Sequence, residues 1–517
     1  MTERSRHPPR VRADCSRRAR LGASTVGCVS LAFALAGPAA AAPVDPRTTL
    51  YDGPDGATCD YFNAGARIPW HHRGGDWRDA AGQQQGDKPM ATARIQPTAG
   101  RGFVQWDVTD RVRESGANAS KAAAFLLAPV KGEPRAETAL ASREAPEARI
   151  RPRLRIDFDD GSPAVFLVPS ADTTLDCSTV SSLGARASVA VGETKYAAIA
   201  FDVRELADRP IKHATLELVP IRHDGAAVVG VYSLHVPVAE NAVATQPVGI
   251  TSRFHDDKAI ADDPDVVFMA DFDTLFWRSE WSYVSPGSHA EAVQRDDDGK
   301  FEPFRGAALR VTIPKGGNLG LDMGYNFQDK LGMEPEEIYF RYYIRFADDW
   351  IPTVDGGKLP GPSGTYGRAG WGGRKANARE GWSLRGLFLR ASSAANPLHG
   401  RVAIGTYAYH AAGEDFFGDE WDWNLATQLL ERNRWYCLEQ HVKMNTPGAQ
   451  DGVLRAWIDD VPAFEKRDLY LRDTPVIKIE KIWMNVYHGG TAKAVKDLDL
   501  YIDNVVIARR RIGCLAH

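Results

Sequence analysis

The sequence predicts an all-β protein in which a C-terminal two-sheet jelly roll follows two N-terminal β-sandwich modules. Three observations lead there. From residue 266 onward, eight or more apolar stretches alternate with a period of two, and almost none repeat with the helical period of 3.6. These stretches are short and are separated by glycine, proline, asparagine and aspartate turns. In the N-terminal half, Phe201-Asp202-Val203 echoes Trp106-Asp107-Val108, as two similar units in tandem would. A chain of 517 residues also exceeds what one core organises and fits about three domains.

The first element is a leader. Residues 1–20 carry seven arginines, 21–36 form an apolar run, and 37–42 supply small residues for cleavage. This is the pattern of a secretory signal peptide over 1–42. The apolar run falls short of the ~20 residues that span a bilayer, so no membrane anchor is expected. The expected location is therefore secreted, either extracellular or periplasmic. Residues 43–517 carry 56 Lys and Arg against 65 Asp and Glu. Overall charge thus attracts no polyanion; nucleic acid is excluded as a partner, and any acidic-polymer site must be a local basic cleft. Past the leader, Cys59, Cys177, Cys437 and Cys514 remain, with no Cys-x-x-Cys spacing. In an oxidising compartment a Cys437–Cys514 bridge would tie a strand to the C-terminus and Cys59–Cys177 would link the N-terminal modules; four buried free thiols are the alternative.

Residues 43–162 form the first expected sandwich, with a strand at 103–112 running into a polar turn and a closing strand at 153–158. Residues 163–245 form the second, with strands at 196–203, 214–218 and 228–234. A partly packed polar linker covers 246–264. The jelly roll takes 265–517, with strands near 266–272, 307–313, 338–346, 383–389, 402–409, 436–444, 453–458, 476–486 and 498–508. A short helical insertion is expected around Trp421–Asn433.

The chemistry concentrates between residues 338 and 410. In the 338–346 strand, Ile338, Phe340, Tyr342, Ile344 and Phe346 share one face. Gly356-Gly357 then lets the chain turn tightly before Lys358, and Pro360 stiffens the exit. Two further strands, 382–390 and 401–410, are joined by a loop containing Asn396-Pro397 and Gly400. If that hairpin pairs symmetrically about Asn396, Arg385 lies opposite Tyr407 and Ser383 opposite Tyr409, with Cβ atoms roughly 5 Å apart. A cation, a hydroxyl and two phenols then share one patch of sheet, and Lys358 joins them from the loop. This set suits β-elimination on a uronic-acid polymer. The guanidinium fork of Arg385 matches the substrate carboxylate. Tyrosine or lysine can transfer the protons if neighbouring charge or desolvation brings its pKa toward working pH.

Gly-Gly-Lys-Leu-Pro-Gly (356–361), Ser-x-Arg (383–385) and Tyr-x-Tyr (407–409), in this order, resemble polysaccharide lyase family 14, the alginate and glucuronan lyases. The resemblance covers roughly the last half of the chain. It implies a concanavalin-like β-jelly roll with no required cofactor, and Lys358, Ser383, Arg385, Tyr407 and Tyr409 as the catalytic residues. The chain departs from the family in the Arg- and Gly-rich loop 361–381 and in the long hairpin loop after Arg390. The N-terminal segments, through Ala141-Ser142-Arg143-Glu144 and Arg151-Pro152-Arg153-Leu154, resemble disaggregatase-related β-sandwich modules of carbohydrate-active enzymes. That implies glycan binding, with a structural spacer as the alternative.

Other residues are candidates for binding substrate. On the 435–443 strand, Glu439, His441 and Lys443 share a face with Cys437 and would line the cleft or else form a solvated outer face. Asn485 and Tyr487 share a face further on. His488 and His410 are candidates too, although a lone histidine is more often structural. Asp271 with Asp273, and Asp459-Asp460, are candidates for a structural calcium ion, but no Asp-x-Asp-x-Asp-Gly loop is present. The competing functions are a glycoside hydrolase, which needs two carboxyl groups at a set separation, and a non-catalytic glycan-binding protein. Glu414, Asp415, Asp419 and Glu420 are the dense acidic cluster near the hairpin. The expected partner is an acidic polysaccharide, and the expected state a monomer.

Overall fold

The alternating apolar positions of the C-terminal half close two antiparallel sheets over one core. A computed structural model describes residues 49–517 except 97–101, 118–120, 207–208, 236, 238–248, 255–258, 296–300, 424–428 and 516–517. The expected leader at 1–42 and part of the expected linker lie outside the described residues.

The jelly roll has an eight-stranded sheet centred on Leu498–Ala508, Glu337–Phe346 and Tyr436–Lys443. It faces a nine-stranded sheet ordered Tyr283–Val284, Leu319–Asn326, Lys481–His488, Gly357–Leu359, Trp382–Arg390, Val402–Tyr409 and Asp419–Asp422. Ile338, Phe340, Tyr342, Ile344 and Phe346 point inward from the first sheet and meet Trp382, Leu384, Phe388, Ile404 and Ala408 of the second. Parity then turns Ser383, Arg385, Tyr407 and Tyr409 to the opposite face of the second sheet.

The expected helical insertion is instead two short strands, Asp419–Asp422 and Leu429–Leu430, both paired with Val402–Tyr409. The unpaired edge of the 402–409 strand needs hydrogen-bond partners, and this segment supplies them. The strand expected at 103–112 ends at Asp107, and Thr109–Ala117 is helical. Asp107 accepts a hydrogen bond from the Thr109 N–H at 3.0 Å, satisfying a donor at the helix start.

The two expected N-terminal sandwiches are one. Strand Ala122–Pro129 pairs with Lys195–Asp202, and Arg153–Phe158 pairs with Ile211–Leu218, so both sequence segments share the same sheets. The apolar residues explain why. Ala122–Pro129 is an unbroken apolar run, as in a strand buried on both faces. Phe125 and Leu127 face the sandwich core with Ile199, Phe201 and Leu216. Ala124, Leu126 and Ala128 face the other way, where a second cluster gathers Phe62, Ile68, Trp70, Leu175, Ala198 and Tyr232.

That second cluster is the seam with the jelly roll, because it also contains Leu387, Leu389, Leu398, Ala403, Tyr407, Tyr409 and Leu429. Polar contacts pin the seam. The side-chain amides of Asn63 and Asn396 exchange hydrogen bonds at 3.2 and 2.8 Å. Tyr51 Oη donates to the Ala395 carbonyl at 3.1 Å, and Arg67 reaches Asp422 at 3.1 Å. Disulfides join Cys59 to Cys177 and Cys437 to Cys514, a pairing that suits an oxidising compartment. The first holds the 50–70 segment against the sandwich. Of the expected linker, Ile250 and Ile260 pack against Val506, Ala508 and Ile512.

Candidate active site

The hairpin register places the central residues as the sequence predicts: Ser383 opposite Tyr409 and Arg385 opposite Tyr407. Lys358 pairs with Leu387 on one side and Tyr487 on the other, which brings its side chain onto the same face. The preceding turn depends on glycine. Gly356 adopts φ 57°, and a Cβ there would meet the Phe388 carbonyl oxygen at 2.0 Å.

Arg385 is 6 % exposed, yet no carboxylate among the described residues lies within ion-pair distance of it. Its Nη1 donates to Asn485 Oδ1 at 2.8 Å, its Cζ lies 4.6 Å from the centre of the Trp483 ring, and its Nε has no acceptor among the described residues. Burial brings this guanidinium down to about 10, so it stays charged at neutral pH. A buried cation that no described anion neutralises is costly, which makes Arg385 a candidate anion-binding group. Asn485 is itself fixed by donating to the Leu321 carbonyl at 3.2 Å.

Lys358 Nζ lies 4.1 Å from the centre of the Tyr407 ring and donates to the Gly489 carbonyl at 3.2 Å. Burial, then the adjacent Arg385 charge, bring its ammonium down to about 8. Tyr407 moves the opposite way, to about 12, through burial and then the neighbouring Tyr409 phenol. The two rings meet edge to face with centres 5.5 Å apart. The Gly373 N–H approaches Tyr409 Oη at 3.4 Å.

Ser383 is fully buried, and its hydroxyl donates to the Gly370 carbonyl at 2.7 Å. It therefore anchors the Arg- and Gly-rich loop over Tyr409. Gly370 has φ 83°, and a Cβ would meet the Trp382 backbone carbonyl carbon at 2.7 Å, so the close approach requires glycine.

Of the expected binding residues, Asn485 and Tyr487 join the site, the second within the electrostatic reach of Arg385. Five do not. Glu439, His441 and Lys443 stand on Tyr436–Lys443 in the other sheet. There Glu439 accepts hydrogen bonds from the Ile512 and Gly513 N–H groups, and His441 bonds Glu337 at 2.8 Å while stacking on Tyr339. Lys443 is exposed opposite Glu337 at the end of that strand. Side-chain parity assigns a face but not which of two sheets carries the strand. His410 bonds Asp419 at 2.7 Å and packs by Trp421, on the face away from Tyr409. His488 is fully buried. Its Nε2 accepts from the Thr353 N–H at 3.2 Å, which leaves the proton on Nδ1, directed at the Ala492 carbonyl. It braces the turn beside Lys358.

The structure adds Lys481 and Trp483, which share the outward face of their strand with Asn485 and Tyr487. Continuing the alternation two and four residues back from Asn485 would have found them. Trp483 Nε1 donates to Asp322 Oδ1 at 2.8 Å, and Tyr283 Oη donates to the same oxygen at 3.3 Å. Glu420 and Asp422 close the far edge of the face, opposite Tyr407 and Gly405.

Among the described residues no group of three or more His, Cys, Asp or Glu side chains is arranged to hold a metal ion. Of the calcium candidates, Asp459 accepts from the Cys437 N–H, and Asp460 accepts from the Cys514 N–H and Arg511. Asp271 and Asp273 lie near buried Asp503, whose carboxyl burial pushes up to about 8.

Residues 304–499 match the family model described as polysaccharide lyase 14. Among solved structures, the chain is similar to the alginate lyase vAL-1 from Chlorella virus, with 16 % identity over 47 % of this chain and all of that one, at a TM-score of 0.37. It is also similar to the marine PL-14 alginate lyase from Aplysia kurodai, with 15 % identity over 47 % of this chain and 98 % of that one, at 0.36. The endo-β-1,4-glucuronan lyase from the fungus Trichoderma reesei shares 14 % identity over 47 % of this chain and 96 % of its own, at 0.33. No curated protein matches the chain.

Proposed function

We propose that this protein is a secreted polysaccharide lyase that cleaves a uronic-acid polymer of the alginate or glucuronan type by β-elimination. The observation that carries the reading is Arg385, buried, charged and unpaired by any carboxylate among the described residues, with Lys358 and two phenols on the same face. The match of residues 304–499 to a lyase family supports it.

In this reading the free edge of Arg385, braced by Asn485, binds the substrate carboxylate and makes the proton on the adjacent carbon, C5, acidic. Lys358, as the neutral amine, takes that proton. The electron pair forms the C4–C5 double bond, the bond from C4 to the glycosidic oxygen breaks, and a phenol protonates the departing oxygen. Tyr409 is assigned that last step and Tyr407 orients the sugar. The carboxylates nearby are already engaged, Asp322 by Trp483 and Tyr283, and Glu420 and Asp422 by Arg67, which disfavours a paired-carboxyl hydrolase.

The deciding experiment incubates purified protein with alginate, glucuronan, heparin-type and pectic polymers. New ultraviolet absorbance from a double bond conjugated to the carboxylate is expected with at least one of them. Reducing ends without absorbance would establish a hydrolase, and neither product would leave a glycan-binding protein.

The pH profile tests Lys358. A base must be unprotonated, so kcat/KM should rise about tenfold per unit below about pH 8 and level off above it. A flat profile across that range would remove Lys358 as the base. The fork of Arg385 is tested by Arg385→Lys, which keeps the charge and loses the bidentate geometry. It should lower kcat/KM by several-fold to a hundredfold, about 1–3 kcal/mol; an unchanged value would show that charge alone suffices.

A further inference from the structure

The seam between the sandwich and the jelly roll runs into the candidate site at one place. Arg67 follows the Tyr61–Asn63 strand in a turn of left-handed backbone, φ 55°. The Ala66 N–H donates to Asn63 Oδ1 at 3.0 Å, and Asn63 is in turn bonded to Asn396, so the turn is fastened to the hairpin loop. From there the Arg67 fork crosses to the edge strand of the catalytic face. Its Nε lies 3.1 Å from Asp422 Oδ1, and its Nη2 lies 3.2 Å from Asp422 Oδ2 and 3.4 Å from Glu420 Oε2.

Glu420 and Asp422 alternate onto the same face as Tyr407, and Glu420 stands directly opposite Tyr407 in register. Lys358 hangs over that same Tyr407 ring at 4.1 Å. The charged and titratable groups facing Lys358 are Arg385, Tyr407, Glu420, Asp355 and His488, with Tyr487 its neighbour across the ladder. Glu420 is the larger carboxylate influence on Lys358. Two buried cations without ion-pair partners among the described residues would draw in a mobile carboxylate, which would then occupy the place of a substrate carboxylate.

We propose that Arg67, supplied by the N-terminal sandwich, is a positioning residue of the candidate active site that holds Glu420 and Asp422 at the sheet edge, away from Lys358 and from an anionic substrate. The sandwich is thereby part of the catalytic unit and not a detachable binding module. The inference rests on the lyase reading for its function, but its electrostatic core is measurable without turnover.

The experiment uses the full chain and a four-membered cycle of the natural protein, Arg67→Ala, Glu420→Gln and the double variant. The pH at which Lys358 is half-reactive toward a small acylating reagent is read by peptide mass spectrometry. Removing a cation that restrains an anion should move the Lys358 midpoint upward by about half a unit or more. In the Glu420→Gln background the same arginine substitution should move the midpoint by clearly less, because only Asp422 is then released. KM for an acidic polymer should rise about three- to tenfold in Arg67→Ala, more than kcat falls, because two carboxylates then repel it. Arg67→Gln keeps a hydrogen-bond donor at the seam and replaces the alanine variant if that one does not fold. An unmoved midpoint, or an equal shift in both backgrounds, would overturn the proposal, and a lowered melting temperature alone would show a merely structural arginine. A natural protein inactive on every polymer, with the cycle still behaving as expected, would sink the lyase reading and leave the clamp standing.

Discussion

Lys358→Met is expected to abolish most turnover, lowering kcat by roughly a hundredfold to ten-thousandfold, the range for losing a general base. The methionine fills a similar volume over the Tyr407 ring, so the loss cannot be assigned to a cavity. It also removes a partial positive charge beside Arg385, which remains to bind the substrate carboxylate. KM should therefore rise at most several-fold while kcat collapses. Rapid-mixing assays at several pH values check this, and the rise in rate toward pH 8 should vanish with the amine. A variant retaining more than about a tenth of normal kcat would move the base elsewhere, with Tyr409 the next group on that face.

Tyr409→Phe removes one hydroxyl and keeps the ring that packs in the seam. If the phenol protonates the departing oxygen, kcat should fall at least roughly a hundredfold with natural melting behaviour. Tyr407→Phe should cost less, because burial and its neighbour hold that phenol's proton to about pH 12 and its assigned work is orientation. Substrates carrying a better leaving group would separate the two roles. They should rescue Tyr409→Phe, which lacks the acid, and leave Tyr407→Phe unchanged. Near-normal turnover in both variants would reduce the pair to packing residues.

The shared face of the four hairpin residues could be predicted before the fold because it depends on local rules. A symmetric hairpin fixes register, and register with a two-residue period puts Ser383, Arg385, Tyr407 and Tyr409 on one face. Whether a strand belongs to the near or the far sheet is not a local property. Glu439 and His441 have the right parity on the wrong sheet, and each is consumed by neighbours distant in sequence, Gly513 and Glu337. Arg67 was invisible for the same reason, being 353 residues from Glu420 and meeting it only because the two domains share a seam. One signal of that seam lies in the sequence, since Ala122–Pro129 is too uniformly apolar for a strand with one wet face. The echo of Trp106-Asp107-Val108 in Phe201-Asp202-Val203 suggested two units, but both stretches serve one core.

The seam also sets a timetable for making the protein. Leu126, Ile68, Trp70 and Tyr232 are all synthesised before Leu387, Leu398 and Leu429, the groups that cover them. The last strand of the sandwich ends at His235, so roughly 150 more residues must follow before Leu387 appears, about 8–30 s at ordinary elongation rates. During that interval a finished sandwich would carry a bare apolar face. Such a nascent chain needs a holding chaperone or delayed folding, and a ribosome stalled in that window would release a sticky, half-covered product.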